Sequence, residues 1–183
     1  MKLIIISGAE ATGKSTIGRE LAKSLGIVYQ SKDIVKEALF DIHEQSTWNF
    51  QWYERRAKKA FFQDIQQLIE TGTSAVIESN FLGDDKIELG DIIKGDIDLS
   101  EIHCYTNGLS SFKRVVKRNE SKERHPGHHD RRWYPKILVQ AILHNLGIDI
   151  AAHKPVQLSD KVLSVNTTDI SKVNYAELIE FIG

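Results

Sequence analysis

The stretch that decides the fold reads Lys2-Leu3-Ile4-Ile5-Ile6-Ser7-Gly8-Ala9-Glu10-Ala11-Thr12-Gly13-Lys14-Ser15-Thr16. Leu3 to Ile6 is a continuous apolar run without alternation, which predicts a strand buried on both faces. Gly8 to Ser15 then matches G-x-x-x-x-G-K-[ST] without a gap. Each residue type has a physical reason. Glycine at positions 8 and 13 tolerates backbone angles that other residues resist. Successive N–H groups can therefore turn inward and form a concave anion nest. A helix starting near Lys14 adds its positive end. Lys14 brings an ammonium to the β- and γ-phosphates of a nucleoside triphosphate, and Ser15 offers a hydroxyl to Mg²⁺. Gly8, Ala9, Glu10, Ala11, Thr12, Gly13, Lys14, Ser15 and Thr16 are expected to wrap the phosphates.

Outward from this loop, strand and helix patterns alternate over all 183 residues. Strands are expected at 2–7, 27–30, 74–78, 100–105 and 161–165. Helices are expected at 15–24, 32–40, 47–71, 109–118, 136–145 and 171–182, with Gly26 stopping the first and Thr71-Gly72 the third. Residues 119–132 read as an exposed loop. The alternation predicts one α/β domain, 1–183, with a mainly parallel sheet covered on both faces. Lys and Arg number 24 against 25 Asp and Glu. That balance argues against a protein that coats nucleic acid. The lone cysteine, Cys104, excludes an internal disulfide and fits a reducing cytoplasm. No apolar run approaches the ~18 residues of a membrane span. Leu3 to Ile6 is also shorter than a signal-peptide core of about 7–15 residues, so the N-terminus is expected to belong to the fold.

Functional groups in parallel sheets gather at the C-terminal ends of strands. After the second strand comes Ser31-Lys32-Asp33. Asp33 either caps the next helix or stands near the γ-phosphate to accept the proton of a substrate hydroxyl. After the third comes Glu78, either a polar strand end or the acid that holds the Mg²⁺ hydration shell. Asn80 would then face the cleft, and Phe81 either joins it or joins the core. After the fourth, residues 113–132 carry eight Lys or Arg and three acidic residues. Arg114 and Arg118 share one helix face. This segment reads as a lid over phosphates, a solvated loop, a metal site at His125, His128 and His129, or a nucleic-acid patch. After the fifth, Val165 to Asp169 either receives an adenine ring, through Asn166 and Thr167, or is an ordinary turn.

These pieces together resemble the small P-loop kinases of the nucleoside-monophosphate-kinase type, a group that includes shikimate kinase, gluconate kinase, chloramphenicol phosphotransferase and the zeta toxins. The matching stretches are GAEATGKST at 8–16, SKD at 31–33, VIESNF at 76–81, the arginines at 114 and 118 with RHPGH at 124–128, and VNTTD at 165–169. The resemblance implies a P-loop NTPase three-layer α/β/α sandwich with a five-stranded parallel sheet of order 2-3-1-4-5. It implies a lid at about 119–132 and substrate-side helices at about 32–72. It carries over Lys14 as the phosphate ligand, Ser15 as the Mg²⁺ ligand, Asp33 as the substrate-side acid, and Arg118 and Arg124 as lid arginines. The second strand lacks the Asp-x-Asp of several relatives. Residues 41–56 hold Trp48, Trp52, Tyr53, Arg55 and Arg56, which form either an aromatic, cationic pocket or helix packing with a solvated face.

The expected function is ATP- and Mg²⁺-dependent transfer of a phosphoryl group to a hydroxyl of a small-molecule acceptor, by a cytoplasmic monomer or homodimer. Two alternatives stay open. One is a nucleotide-dependent ATPase or switch acting on a macromolecular partner. The other is a nucleic-acid end kinase that uses the basic loop.

Overall fold

Strand β1 (Lys2–Gly8) is the central member of a sheet of five parallel strands. It pairs with β3 (Ala75–Glu78) on one side and β4 (Asp98–Tyr105) on the other. Strand β2 (Val28–Ser31) lies outside β3, and β5 (Val162–Asn166) outside β4. The order β2-β3-β1-β4-β5 is the one expected. This computed structural model describes residues 1–42, 50–120, 125–128, 138–139 and 154–183. Six helices are present among them: α1 (Lys14–Leu25), α2 (Lys32–Ile42), α3 (Phe50–Glu70), α4 (Asp84–Ile92), α5 (Gly108–Glu120) and α6 (Tyr175–Ile182).

The continuous apolar run of β1 has its predicted consequence. Leu3 and Ile5 face one layer, with Ala75, Ile77, Ala57, Phe61, Ile65 and Leu89. Ile4 and Ile6 face the other, with Val76, Ile102, Ile17, Leu21, Leu178 and Ile182. Each large side chain that is fully buried contributes roughly 1.5–3 kcal/mol. Such residues on both faces make the sheet a rigid base. The register sets its useful edge: Ile6 is level with Glu78, and Glu78 with Ser31. The loop after β1, the start of α2 and the end of β3 therefore meet at one place.

Some elements differ from expectation. Helix α4 is absent from the sequence reading because Leu89 is its only fully buried side chain, so the stretch has no apolar period. The last helix starts at Tyr175, not 171. Residues 170–172 form a separate 3₁₀ turn, in which Asp169 accepts from the Ser171 N–H, and Asn174 caps α6. Gly26 ends α1 with φ 65°, as a C-terminal glycine should. All but residues 138–139 of the helix expected at 136–145, the start of the one expected from 47, and most of the loop at 119–132 lie outside the described residues.

The chain re-enters the sheet through a buried polar junction. Glu101 on β4 accepts N–H bonds from Val156 at 2.7 Å and Gln157 at 2.8 Å, and a bond from the Ser7 hydroxyl. Gln157 has a positive φ of 55°. A buried carboxylate is tolerated only with such donors. Here they tie the segment before β5 to the residue that precedes Gly8. No helix among the described residues is long and apolar enough to cross a membrane.

Candidate active site

The loop that leaves β1 turns at once. Gly8 has φ 133°, and a Cβ there would sit 2.1 Å from the Cys104 carbonyl oxygen on the neighbouring strand. Glycine is needed for both angle and space. Ala11 (φ 58°) and Gly13 (φ 88°) are also left-handed, which turns the backbone into a concave loop. Helix α1 begins at Gly13 without a side-chain cap, so its positive end faces that loop. The loop is braced internally. Thr12 is 2% exposed, and its hydroxyl donates to the Ala9 carbonyl at 2.9 Å. Thr167, fully buried beyond β5, donates to the Thr12 and Tyr105 carbonyls. The Arg114 guanidinium donates to the carbonyls of Ala11, Thr167 and Thr168.

Lys14 is buried and donates to the Ala9 carbonyl at 2.7 Å. Burial holds its ammonium below the ordinary lysine value, while the Glu78 carboxylate pulls the other way. A poorly solvated cation beside a ring of amides attracts an anion strongly. Ser15 donates to Glu78 Oε1 at 3.3 Å. The other carboxylate oxygen, Oε2, accepts from the Tyr29 phenol. Burial, and then Glu78, push that phenol well above the ordinary tyrosine value, so it remains a proton donor.

These groups open on one cleft of about 580 Å³, within the size range of small-ligand sites. Glu10, Ala11, Gly13, Lys14, Ser15, Thr16, Asp33, Glu78, Asn80, Arg114 and Arg118 all line it. Gly8, Ala9 and Thr12 build the loop from behind. Asn166 ends β5 and its side-chain oxygen accepts from the Thr168 N–H, Thr167 opens the turn beyond, and neither is among the residues that line the cleft. Arg124 is outside the described residues. Ser31, not Asp33, caps α2: its hydroxyl accepts from the Ile34 N–H at 3.2 Å. Asp33 remains exposed on the cleft wall.

Other residues of the site were not read from the sequence. Lys32 and Lys36 both pair with Glu54 of α3, and Lys32, Lys36, Glu37 and Glu54 all line the cleft. His128 Nε2 hydrogen-bonds to Glu37 Oε1 at 2.6 Å, and His125 Nε2 to Asp41 Oδ1 at 3.1 Å. The two histidines thus hold their turn against α2. Among the described residues no cluster of three or more His, Cys, Asp or Glu could hold a metal, and His129 lies outside them. Ser15 and Glu78 supply hard oxygen donors of the kind Mg²⁺ takes alongside phosphate and water. Of the two readings of residues 41–56, helix packing with a solvated face is the one that the described residues show. Tyr53 is 1% exposed in the core, and Arg56 stacks 4.5 Å over Trp52, away from the cleft lining. Trp48 lies outside the described residues. Phe81 is a core residue, 6.2 Å from the Phe61 ring.

The family described as "Chromatin associated protein KTI12" matches residues 1–145. No curated protein matches the chain. Among solved structures, a "putative kinase" from Chloroflexus aurantiacus j-10-fl is 27% identical, covers 99% of this chain and 96% of that one, and superposes with a TM-score of 0.81. Kti12 of Chaetomium thermophilum in complex with ADP-AlF3 is 14% identical over 98% and 95% of the two chains, with a TM-score of 0.62. A gluconokinase from Sinorhizobium meliloti 1021 is 12% identical over 99% and 89%, with a TM-score of 0.53. The fold is that of the P-loop NTPases, and the chain is similar to small P-loop kinases.

Proposed function

We propose that this chain, which belongs to the KTI12 family, binds ATP with Mg²⁺ and transfers the γ-phosphoryl group to a hydroxyl of a small acceptor held in the cleft. One observation carries the reading. A single cleft is lined by the phosphate loop, Lys14, the Ser15–Glu78 pair and Asp33, an exposed aspartate that its helix does not use as a cap.

The backbone amides and Lys14 grip the β- and γ-phosphates, with Ser15 and Glu78 toward the metal. Ser15 and Glu78 would hold Mg²⁺, which would supply positive charge to offset that of the phosphates. Asp33 accepts the proton as the acceptor hydroxyl oxygen bonds to the γ-phosphorus. The bond from that phosphorus to the bridging oxygen breaks, and ADP leaves. Arg118, and Arg124 if the lid closes over the cleft, offset charge on the transferred group. The base would rest beside the turn after β5 that Arg114 braces through the Thr167 and Thr168 carbonyls.

The family match favours a second reading, in which the same nucleotide cycle acts on a macromolecular partner. A complex with ADP-AlF3 in a Kti12 of the same fold accords with either. ATP consumption separates them. Stimulation by hydroxylated small molecules, with phosphate recovered on the acceptor, supports transfer. Stimulation only by protein or RNA, with phosphate released to water, supports the second reading. Lys14→Ala should abolish either activity, and retained turnover would remove both.

A further inference from the structure

Tyr29 stands outside every motif in the sequence, yet its phenol reaches Glu78. Glu78 is 7% exposed, and its carboxylate is held at both oxygens: Ser15 from α1 on Oε1, and Tyr29 from β2 on Oε2. The terminal torsion of a glutamate is broad, so one hydrogen bond leaves the carboxylate plane free to turn. The second bond removes that freedom.

The fold makes room for this contact at a local cost. Gly18 lies in the interior of α1, where glycine is about 1 kcal/mol worse than alanine. A Cβ at Gly18 would stand 2.8 Å from the Tyr29 Cε2 atom. The helix therefore gives up a side chain where the tyrosine ring enters. The Arg19 guanidinium covers the ring from outside, 5.6 Å from its centroid. Ring, glycine and arginine together aim the phenol at Glu78.

We propose that Tyr29 is a positioning residue for the Mg²⁺ site, fixing the Glu78 carboxylate beside Ser15. The proposal rests on the reading above that Ser15 and Glu78 serve the metal. Partners that orient metal-associated groups commonly change metal affinity 10–100-fold when removed.

Calorimetric ATP binding, followed as a function of Mg²⁺ concentration, tests it without recourse to activity. The chains compared are the parent, Tyr29→Phe, Glu78→Gln and the double variant. Tyr29→Phe keeps the ring and removes only the hydroxyl. It should raise the Mg²⁺ concentration needed for half-maximal ATP binding by roughly tenfold. Affinity for metal-free ATP should be unchanged. In the Glu78→Gln background the tyrosine substitution should add less than twofold. An unchanged Mg²⁺ midpoint in Tyr29→Phe, an equal loss for metal-free ATP, or a full effect persisting in Glu78→Gln would each overturn the proposal. So would loss of the melting transition in Tyr29→Phe, since the hydroxyl would then serve folding. If the parent protein binds ATP without any response to Mg²⁺, the metal reading itself is what fails.

Discussion

Lys14 and Asp33 line the same cleft but stand in different physical settings. The lysine is buried and desolvated, so its charge contributes little to stability, and the proposed function assigns it to anion binding. Lys14→Ala should therefore lower phosphoryl transfer or ATP hydrolysis by at least ~100-fold, the scale of losing one pre-organised charge. The thermal midpoint should move by only a few degrees, on the order of the shift for 1 kcal/mol or less. Asp33 is exposed, and the capping of α2 falls to Ser31. Two substitutions two residues apart should thus separate. Asp33→Asn should cut the turnover number about 100-fold or more with the midpoint nearly unchanged. Ser31→Ala should cost about 1 kcal/mol of stability and leave the turnover number within about threefold. Steady-state kinetics beside thermal melts read both. Equal kinetic losses in the two variants would mean that Asp33 only holds the helix start.

At the scale of elements, the unit of strand β1, loop and helix α1 was legible because its constraints are local. Glycine angles, an apolar run and a helix start all follow from neighbours in the chain. The close approach of Gly8 to β4 was not legible, since it depends on which strand lies alongside. Gly8→Ala would force a methyl to within 2.1 Å of the Cys104 carbonyl oxygen, so strand and loop must separate. We expect a loss of more than about 2 kcal/mol, at the severe end for single substitutions, with ATP binding lost as well. Denaturant titration and calorimetry would measure the two effects. A Gly8→Ala chain of parental stability would contradict the packing described. Helix α4 escaped the sequence reading because it buries one side chain where an amphipathic helix buries a stripe. The tyrosine on β2 escaped for a related reason: its partner is 49 residues away, and only the glycine inside α1 hinted that something large pressed there.

Across the whole molecule, a parallel sheet covered on both faces was readable from the alternating apolar segments, whereas the strand order was implied only by the family resemblance. The cleft walls were readable to the extent that they sit at strand ends. The pairing of Lys32 and Lys36 with Glu54, and of His128 with Glu37, was not, because long side chains choose partners only once helices are packed. One global consequence can be checked by alkaline titration. Burial pushes the Cys104 thiol from 9.0 up to about 12. Between those values the unfolded chain loses this proton and the folded chain keeps it. Unfolded chains then bind fewer protons, so stability falls as pH rises above 9, approaching about 1.4 kcal/mol per unit from this thiol. Cys104→Ala should remove that share of the slope in denaturant titrations, whatever its effect at pH 7. An identical slope would show that the thiol is not buried as described. The central claim, that the loop after β1 grips a nucleotide's phosphates, has a more direct test. Calorimetric titration of the folded protein with ATP and Mg²⁺ should show saturable binding at one site per chain. AMP, which lacks the β- and γ-phosphates, should bind at least ~100-fold more weakly. No saturable uptake of any nucleoside triphosphate, or equal affinity for AMP and ATP, would contradict the account.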